Sequence, residues 1–233
     1  MEKPLFPSNN MRITQGYQEG SHKDSYAIDN AGKNNSIEKV KAPYTGIIKK
    51  IYPNDANEVW LESENEVEYP DGTIDYMTTM FAHANDVSNL FVGKRIAQGE
   101  EFYSEGTKGN ATGNHCHIEC GKGHFTGTGW HKVASGYYSI NNSKKPEECL
   151  WIDDTIHIIN NHNYNFKKIP TEQESIPETT ITPNPLPEES KPTTPEPLPT
   201  TSEEVEQETP VFICNKKGLY GIYLDKGQKL YIK

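Results

Sequence analysis

Residues 114–119 read N-H-C-H-I-E, setting His115 and His117 one residue apart with Cys116 between them and Glu119 two residues on. Imidazole, thiol and carboxylate are the side chains that bind transition metals and move protons near neutral pH. A catalytic zinc site needs three protein ligands of N, O or S type and one position left open. On one strand face the two histidines stand about 7 Å apart, so both can hold one ion, or one can hold it while the other works on substrate. With 8 histidines in the chain, one such pair can also arise by chance adjacency on a solvated strand. The other donors must come from elsewhere. The candidates are His22 in the Gly/Ser-rich lead-in G-Y-Q-E-G-S-H, Asp29 directly after Tyr26-Ala27-Ile28, and His83 at the end of M-T-T-M-F-A-H.

The elements that must carry these residues read as β. V-K-A-P-Y-T-G-I-I-K-K-I-Y predicts a turn before Gly46 and a strand from Ile47 to Tyr52. N-E-V-W-L-E-S gives a strand around Val59 to Glu62, and I-D-Y-M-T-T-M-F-A-H gives another ending near His83. A short helical turn is expected in N-D-V-S-N-L-F-V, then a strand from Glu101 to Ser104, a polar Gly-rich loop over 107–114 and a strand from His115 to Cys120. The Gly-rich G-K-G-H-F-T-G-T-G-W reads as the opening of a long loop, and 147–159 fits no single element. In a strand, His115, His117 and Glu119 face one way while Cys116, Ile118 and Cys120 face the other. The second set is the more apolar and belongs to the core, which makes its cysteines buried thiols rather than ligands. Cys116 and Cys120 are about 13 Å apart when extended, too far for a disulfide.

Taken together, G-S-H22, Y-A-I-D29, V-K-A-P-Y-T-G46, F-A-H83, G93-K-R-I-A-Q-G99 and T-G-N-H115-C-H117-I-E resemble the lysostaphin/LytM-type zinc endopeptidases of peptidoglycan, the M23 peptidase family. The resemblance covers about Thr14 to Gly121 and rests on the order and rough spacing of six blocks. It implies a mainly β, antiparallel-sheet metallopeptidase domain with long loops around a groove. It also implies one Zn²⁺ held by His22, Asp29 and His117, with His83 and His115 as unligated catalytic histidines. The family's early motif is more often H-x-x-x-D, whereas six residues separate His22 from Asp29 here; Asp24 is nearer but lacks the apolar Y-A-I context. Cys116 stands where a large aliphatic residue is usual. Such an ion would lower the pKa of a bound water and polarise a peptide carbonyl. On this reading His115 mainly takes the proton and His83 mainly stabilises the oxyanion, although sequence does not separate the two roles. Glu119 reads as a supporting carboxylate. His124 and His131 either line the groove or sit in a solvated loop, Tyr26 defaults to a core tyrosine, and His157 and His162 lie past the resemblance.

Composition sets the frame. The chain of 233 residues is 33% hydrophobic and carries a net charge of −10. The acidity argues against nucleic acid as a partner. No stretch approaches the 18 or so apolar residues of a membrane span. The start, M-E-K-P-L-F-P-S-N-N, lacks the apolar core of a secretory signal. Residues 171–210 hold ten Glu, nine Pro, one Lys, no Gly and no aromatic, the composition of an extended acidic linker. Residues 211–233 carry five Lys and one Asp, with Tyr, Leu and Ile at short spacing. The organisation expected is therefore a zinc endopeptidase domain over 1–170, a disordered Pro/Glu/Thr-rich linker over 171–210 and a small basic element over 211–233. That last element could dock on the body, self-associate through strand pairing or bind anionic wall polymers. The arrangement resembles a phage endolysin of a Gram-positive host, which implies residence in the host cytoplasm until lysis and action on the cell wall. Two rivals differ in class: a catalytically inactive M23-like wall-binding or regulatory protein, and an unrelated β-rich binding protein whose histidines are accidental.

Overall fold

The computed structural model describes residues 1–34, 36–53, 55–170, 211–215 and 218–222. The chain divides into two units, Met1–Ser175 and Ile176–Lys233. The expected acidic linker at 171–210 lies outside the described residues, as does most of the basic tail. In the second unit, Val211–Asn215 and Gly218–Ile222 pair as antiparallel strands.

The first unit is mainly β. In chain order it contains β1 (Asn10–Gln15), β2 (Ile28–Asn30), β3 (Lys39–Lys41), β4 (Gly46–Tyr52), β5 (Glu58–Ser63), β6 (Met77–Ala82), β7 (Arg95–Ile96) and β8 (Glu101–Ser104). These are followed by β9 (Cys116–Lys122), β10 (Trp130–Lys132), β11 (Tyr138–Ile140), β12 (Ser143–Lys144), the one-turn helix α1 (Pro146–Cys149) and β13 (His157–Asn160). A nine-stranded sheet runs in the order β13-β1-β2-β9-β6-β5-β4-β7, with β12 also on β9. Its pairings are antiparallel except at one edge, where β1 and β13 run parallel. β3 pairs with β8, and β10 with β11, as separate two-stranded units.

Strand alternation decides which face is core. From β5, β6 and β9, one face supplies Val59, Leu61, Met77, Phe81, Cys116, Ile118 and Cys120, all buried in the main cluster with Met11, Ile13, Ile28 and Ile48. The thiols of Cys116, Cys120 and Cys149 are free and buried. The other face of the same strands carries Glu58, Trp60, Ala82, Met80, His117 and Glu119. Register sets these residues in rows, with His117 paired to both Asp29 and Ala82, and Glu119 level with Met80, which pairs with Trp60. On this side Trp60, Met80, Ala82 and Ile140 form a second apolar cluster, covered by Tyr52, Phe125 and Trp130.

Some boundaries differ from the sequence reading. β9 begins at Cys116, because His115 makes only an isolated bridge with Gly106. Residues 85–92 form no helix. Asp86 Oδ1 takes the Ser88 N–H at 2.9 Å and Leu90 N–H bonds Val87 O at 3.0 Å, so side-chain capping makes successive turns instead. The loop read after Gly123 contains the β10–β11 hairpin. The stretch at 147–159 resolves into α1 and short strands.

Candidate metal centre

The loop between β1 and β2 delivers His22. Gly16 N–H donates to Glu19 Oε1 at 2.6 Å, and Gln15 Nε2 donates to Ser21 Oγ at 2.8 Å. A 3₁₀ turn, Gly20–His22, then ends at the buried histidine. The chain reverses there, with Ser25 N–H and Ser25 Oγ both donating to His22 O at 3.0 Å, and returns as Ile28 into β2. The extra residues between His22 and Asp29 are taken up in this turn. Asp24, the nearer acid, is exposed, whereas Asp29 is buried on β2 directly across from His117.

The three side chains converge. Asp29 Oδ1 lies 3.3 Å from His22 Nε2 and 3.1 Å from His117 Nδ1. One ligand atom from each of His22, Asp29 and His117 falls within 4.8 Å of the others. Each ring is fixed by its second nitrogen. His22 Nδ1 is 3.0 Å from Gly16 O, a carbonyl that only accepts, so this nitrogen carries the hydrogen and Nε2 offers its lone pair to the centre. His117 Nε2 is 3.4 Å from Glu119 Oε1, which frees Nδ1 toward Asp29. Burial alone raises the Asp29 pKa, but the His117 and His22 rings beside it outweigh burial and hold the carboxyl well below the usual range. Burial opposes charge on His117, yet Asp29 and Glu119 raise its pKa to about 10. Carboxylates on both sides of one imidazole make a place for positive charge. Two imidazole nitrogens, each with an outer partner, and a carboxylate oxygen are a donor set that fits a divalent transition-metal ion.

His83 and His115 stand beside this cluster. Their rings are 4.5 Å apart, and that of His83 is 5.7 Å from the His117 ring. His83 has φ 81°, a left-handed conformation that costs a non-glycine residue energy and aims the ring off the end of β6. The 106–108 segment secures it: Lys108 N–H donates to His83 O at 3.0 Å, and His83 Nδ1 is 2.7 Å from Lys108 O. His115 Nδ1 is likewise 2.8 Å from Gly113 O, and its Nε2 is 3.6 Å from Asp29 Oδ2. Both rings therefore turn Nε2 toward the centre. Burial, with His117 and His115 adding to it, lowers the His83 pKa to about 4, so this ring is neutral at physiological pH.

A cavity of about 460 Å³ joins His22, Asp29, His83 and His117 to a wall of Tyr52, Trp60, Trp130 and Tyr138. The structure thus brings together five of the sequence candidates at this groove, His22, Asp29, His83, His117 and Glu119, with His115 beside them. It sets others apart. His124 stacks on Tyr76 at 3.9 Å, with Nδ1 3.5 Å from Glu62 Oε1, and is exposed. His131 is exposed near Asn141, Tyr26 packs edge-on against Tyr17, and His162 pairs with Glu19. The sequence reading did not single out Glu58, which lines the groove, or Ser139, which donates to Glu119 at 2.6 Å. Period two in E-V-W-L-E-S was the available signal for Glu58, since it puts that residue on the Trp60 face.

No family model matches the chain. Over 124 residues it is 35% identical to Morphogenesis protein 1 of Bacillus phage B103, an alignment that spans 48% of this chain and 30% of that protein. The chain therefore covers under a third of the length of this curated relative. Among solved structures, the chain is similar to LytU, at 22% identity and TM-score 0.41 over 59% of this chain and 82% of that one. The catalytic domain of lysostaphin from Staphylococcus simulans gives 19% identity and TM-score 0.38 over 58% and 86%.

Proposed function

We propose that the chain is a zinc-dependent endopeptidase of the lysostaphin/LytM type that hydrolyses a peptide bond in bacterial peptidoglycan, in the stem peptide or the cross-bridge. The observation that carries this reading is the convergence of His22 Nε2, Asp29 Oδ1 and His117 Nδ1 beside two further imidazoles, His83 lining the same groove and His115 with its ring 4.5 Å from that of His83. Zn²⁺ at these ligands would supply Lewis acidity toward a carbonyl oxygen and toward water. The ligands hold; the two other histidines act on water. Because Nδ1–H of His83 and of His115 is bound to a backbone carbonyl, each Nε2 carries a lone pair that can accept a hydrogen bond from the attacking water, and one of the two takes its proton. Burial lowers the His83 pKa to about 4 and so disfavours its imidazolium, whether formed by taking a proton or used to stabilise an oxyanion; we therefore place the proton transfer on His115 and leave His83 neutral, orienting water through its Nε2 lone pair. The proton is later given to the leaving amine. The aromatic wall excludes water from one side of the bound peptide.

At the level of the chain, we read 1–170 as the catalytic domain, 171–210 as a tether and 211–233 as a small basic element. The whole acts as a phage endolysin, held in the host cytoplasm until lysis and then acting on the wall. The test pairs metal content with lysis. Purified protein is expected to hold one zinc per chain and to clear purified cell walls, and His117→Ala to lose both. Clearing at the wild-type rate by His117→Ala rules this site out, and zinc binding with no cleavage of any wall preparation leaves a binding protein. Mass spectrometry of the digest identifies the bond.

A further inference from the structure

Glu119 lies two residues beyond His117 on the site side of β9, and it is 1% exposed. Its two oxygens have different partners. Oε1 is 3.4 Å from His117 Nε2, while Oε2 accepts from Ser139 Oγ at 2.6 Å and from Ile140 N–H at 3.2 Å. Among the described residues, no Lys or Arg forms an ion pair with it. A carboxylate this deeply buried is costly unless its acceptor sites are filled, and here the donors are one imidazole and two groups of β11. The hairpin that closes over it is the same one whose Trp130 and Tyr138 wall the groove.

We propose that Glu119 is a positioning residue that orients His117 through Nε2–H and fastens the β10–β11 wall of the groove to that ring. The inference rests on the metal reading given above. It explains why a carboxylate stands at this position. An acceptor is needed at both ends, and only a carboxylate provides one. Glutamine would turn its NH₂ toward either His117 Nε2–H or the Ile140 N–H. Ser139 can rotate its hydroxyl to adapt; the backbone N–H cannot.

Zinc dissociation constants for the full chain, measured by competition with a chromogenic chelator at a temperature where all forms are folded, test the inference. Amide exchange of Ile140 in the metal-free chain is read alongside. Glu119→Gln is expected to weaken zinc binding roughly 10- to 100-fold, the usual scale for losing an outer partner of a metal ligand. Ile140 should exchange faster in the same variant. Ser139→Ala is a smaller change that leaves the His117 contact in place, and it is expected to weaken zinc several-fold; it gives the answer if Glu119→Gln does not fold. Wild-type affinity in both variants, with zinc bound by the unmodified chain, overturns the inference alone. An unmodified chain that takes up no zinc overturns the metal reading, and with it the part of this inference that concerns His117.

Discussion

Glu105 shows what burial does to a single carboxylate away from the metal centre. It is 1% exposed, and its Oε2 accepts the Glu38 N–H at 3.2 Å. Burial first, and the nearby Glu38 charge second, push its pKa from 4.5 to about 7 against the pull of that N–H bond and of Arg12. A pKa raised on folding means the protonated form is favoured in the native state. The stability it confers is therefore complete below about pH 4.5 and is lost as pH rises through about 7, by up to roughly 3 kcal/mol. Glu105→Gln keeps an acceptor for Glu38 and removes the charge. Urea unfolding of both proteins at pH 5 and pH 8 should show the variant gaining roughly 2–3 kcal/mol over wild type between the two conditions. A constant difference across that range means Glu105 is neutral or solvated throughout. At this scale the residues alone offered candidates, because imidazoles are scarce and Asp29 follows an apolar Y-A-I, while their grouping into one ligand set came from the resemblance across six blocks. Glu58 and Ser139 were not legible. Carboxylates and hydroxyls are common, and only the fold shows which ones face a groove.

One level up, the residues that bear on proton transfer depend on where β6 stops and how the 106–115 loop returns. Gly106 is wedged into that junction. Its N–H donates to His115 O at 3.0 Å and its O accepts from His115 N–H at 3.1 Å. A Cβ there would stand 2.3 Å from His83 O and 2.7 Å from Asn85 N, both backbone atoms that cannot swing aside. Gly106→Ala must therefore push the His83 turn away from the His115 bridge. The expected result is a loss of roughly 1–3 kcal/mol of stability, the range for overpacking, and a lower turnover at a temperature where the variant is still folded. Zinc content should stay at the wild-type level, since His22, Asp29 and His117 lie on other elements. Loss of zinc in this variant would mean that the junction holds the ligands as well. Element types followed from alternation wherever one face was core, as in β5, β6 and β9. The β10–β11 hairpin escaped because W-H-K-V-A-S-G-Y-Y-S-I has no clean apolar face. It is held by its turn, with Val133 N–H on Tyr137 O at 2.9 Å, and by the apolar face of the sheet beneath it.

At the scale of the whole molecule, acidic charge is concentrated after residue 170. Residues 171–210 hold ten of the acidic residues and no aromatic, whereas the segment before them sends Leu150, Trp151 and Phe166 into buried positions. β13 lies parallel on β1, which pairs in turn with β2 and so supports the strand that carries Asp29. Tyr164 OH accepts the Tyr17 N–H at 3.0 Å, its ring stacks on Tyr17 at 4.4 Å, and Phe166 packs edge-on against Phe6. Leu150 and Trp151 are buried, and Trp151 Nε1 donates to Glu68 O at 2.8 Å. None of this was readable in 147–159, whose short strands find their partners outside the segment, β13 on β1 and Trp151–Ile152 on Lys167–Lys168. Two truncations follow from this packing. A chain ending at Pro170 keeps every hydrogen bond described for the centre. It should bind one zinc and remain folded, since every contact described for the centre is kept. A chain ending at Lys145 strips β13 from β1 and empties the Leu150, Trp151 and Phe166 sites. Large-to-small losses in a core cost roughly 2–5 kcal/mol for each side chain, and three at once exceed much of the 5–15 kcal/mol that holds a domain folded. That chain should be unfolded or insoluble and zinc-free even though His22, Asp29, His83, His115 and His117 are all present. If it folds and binds zinc like the longer one, the 146–169 segment is an appendage, and β1 and β2 hold Asp29 without it.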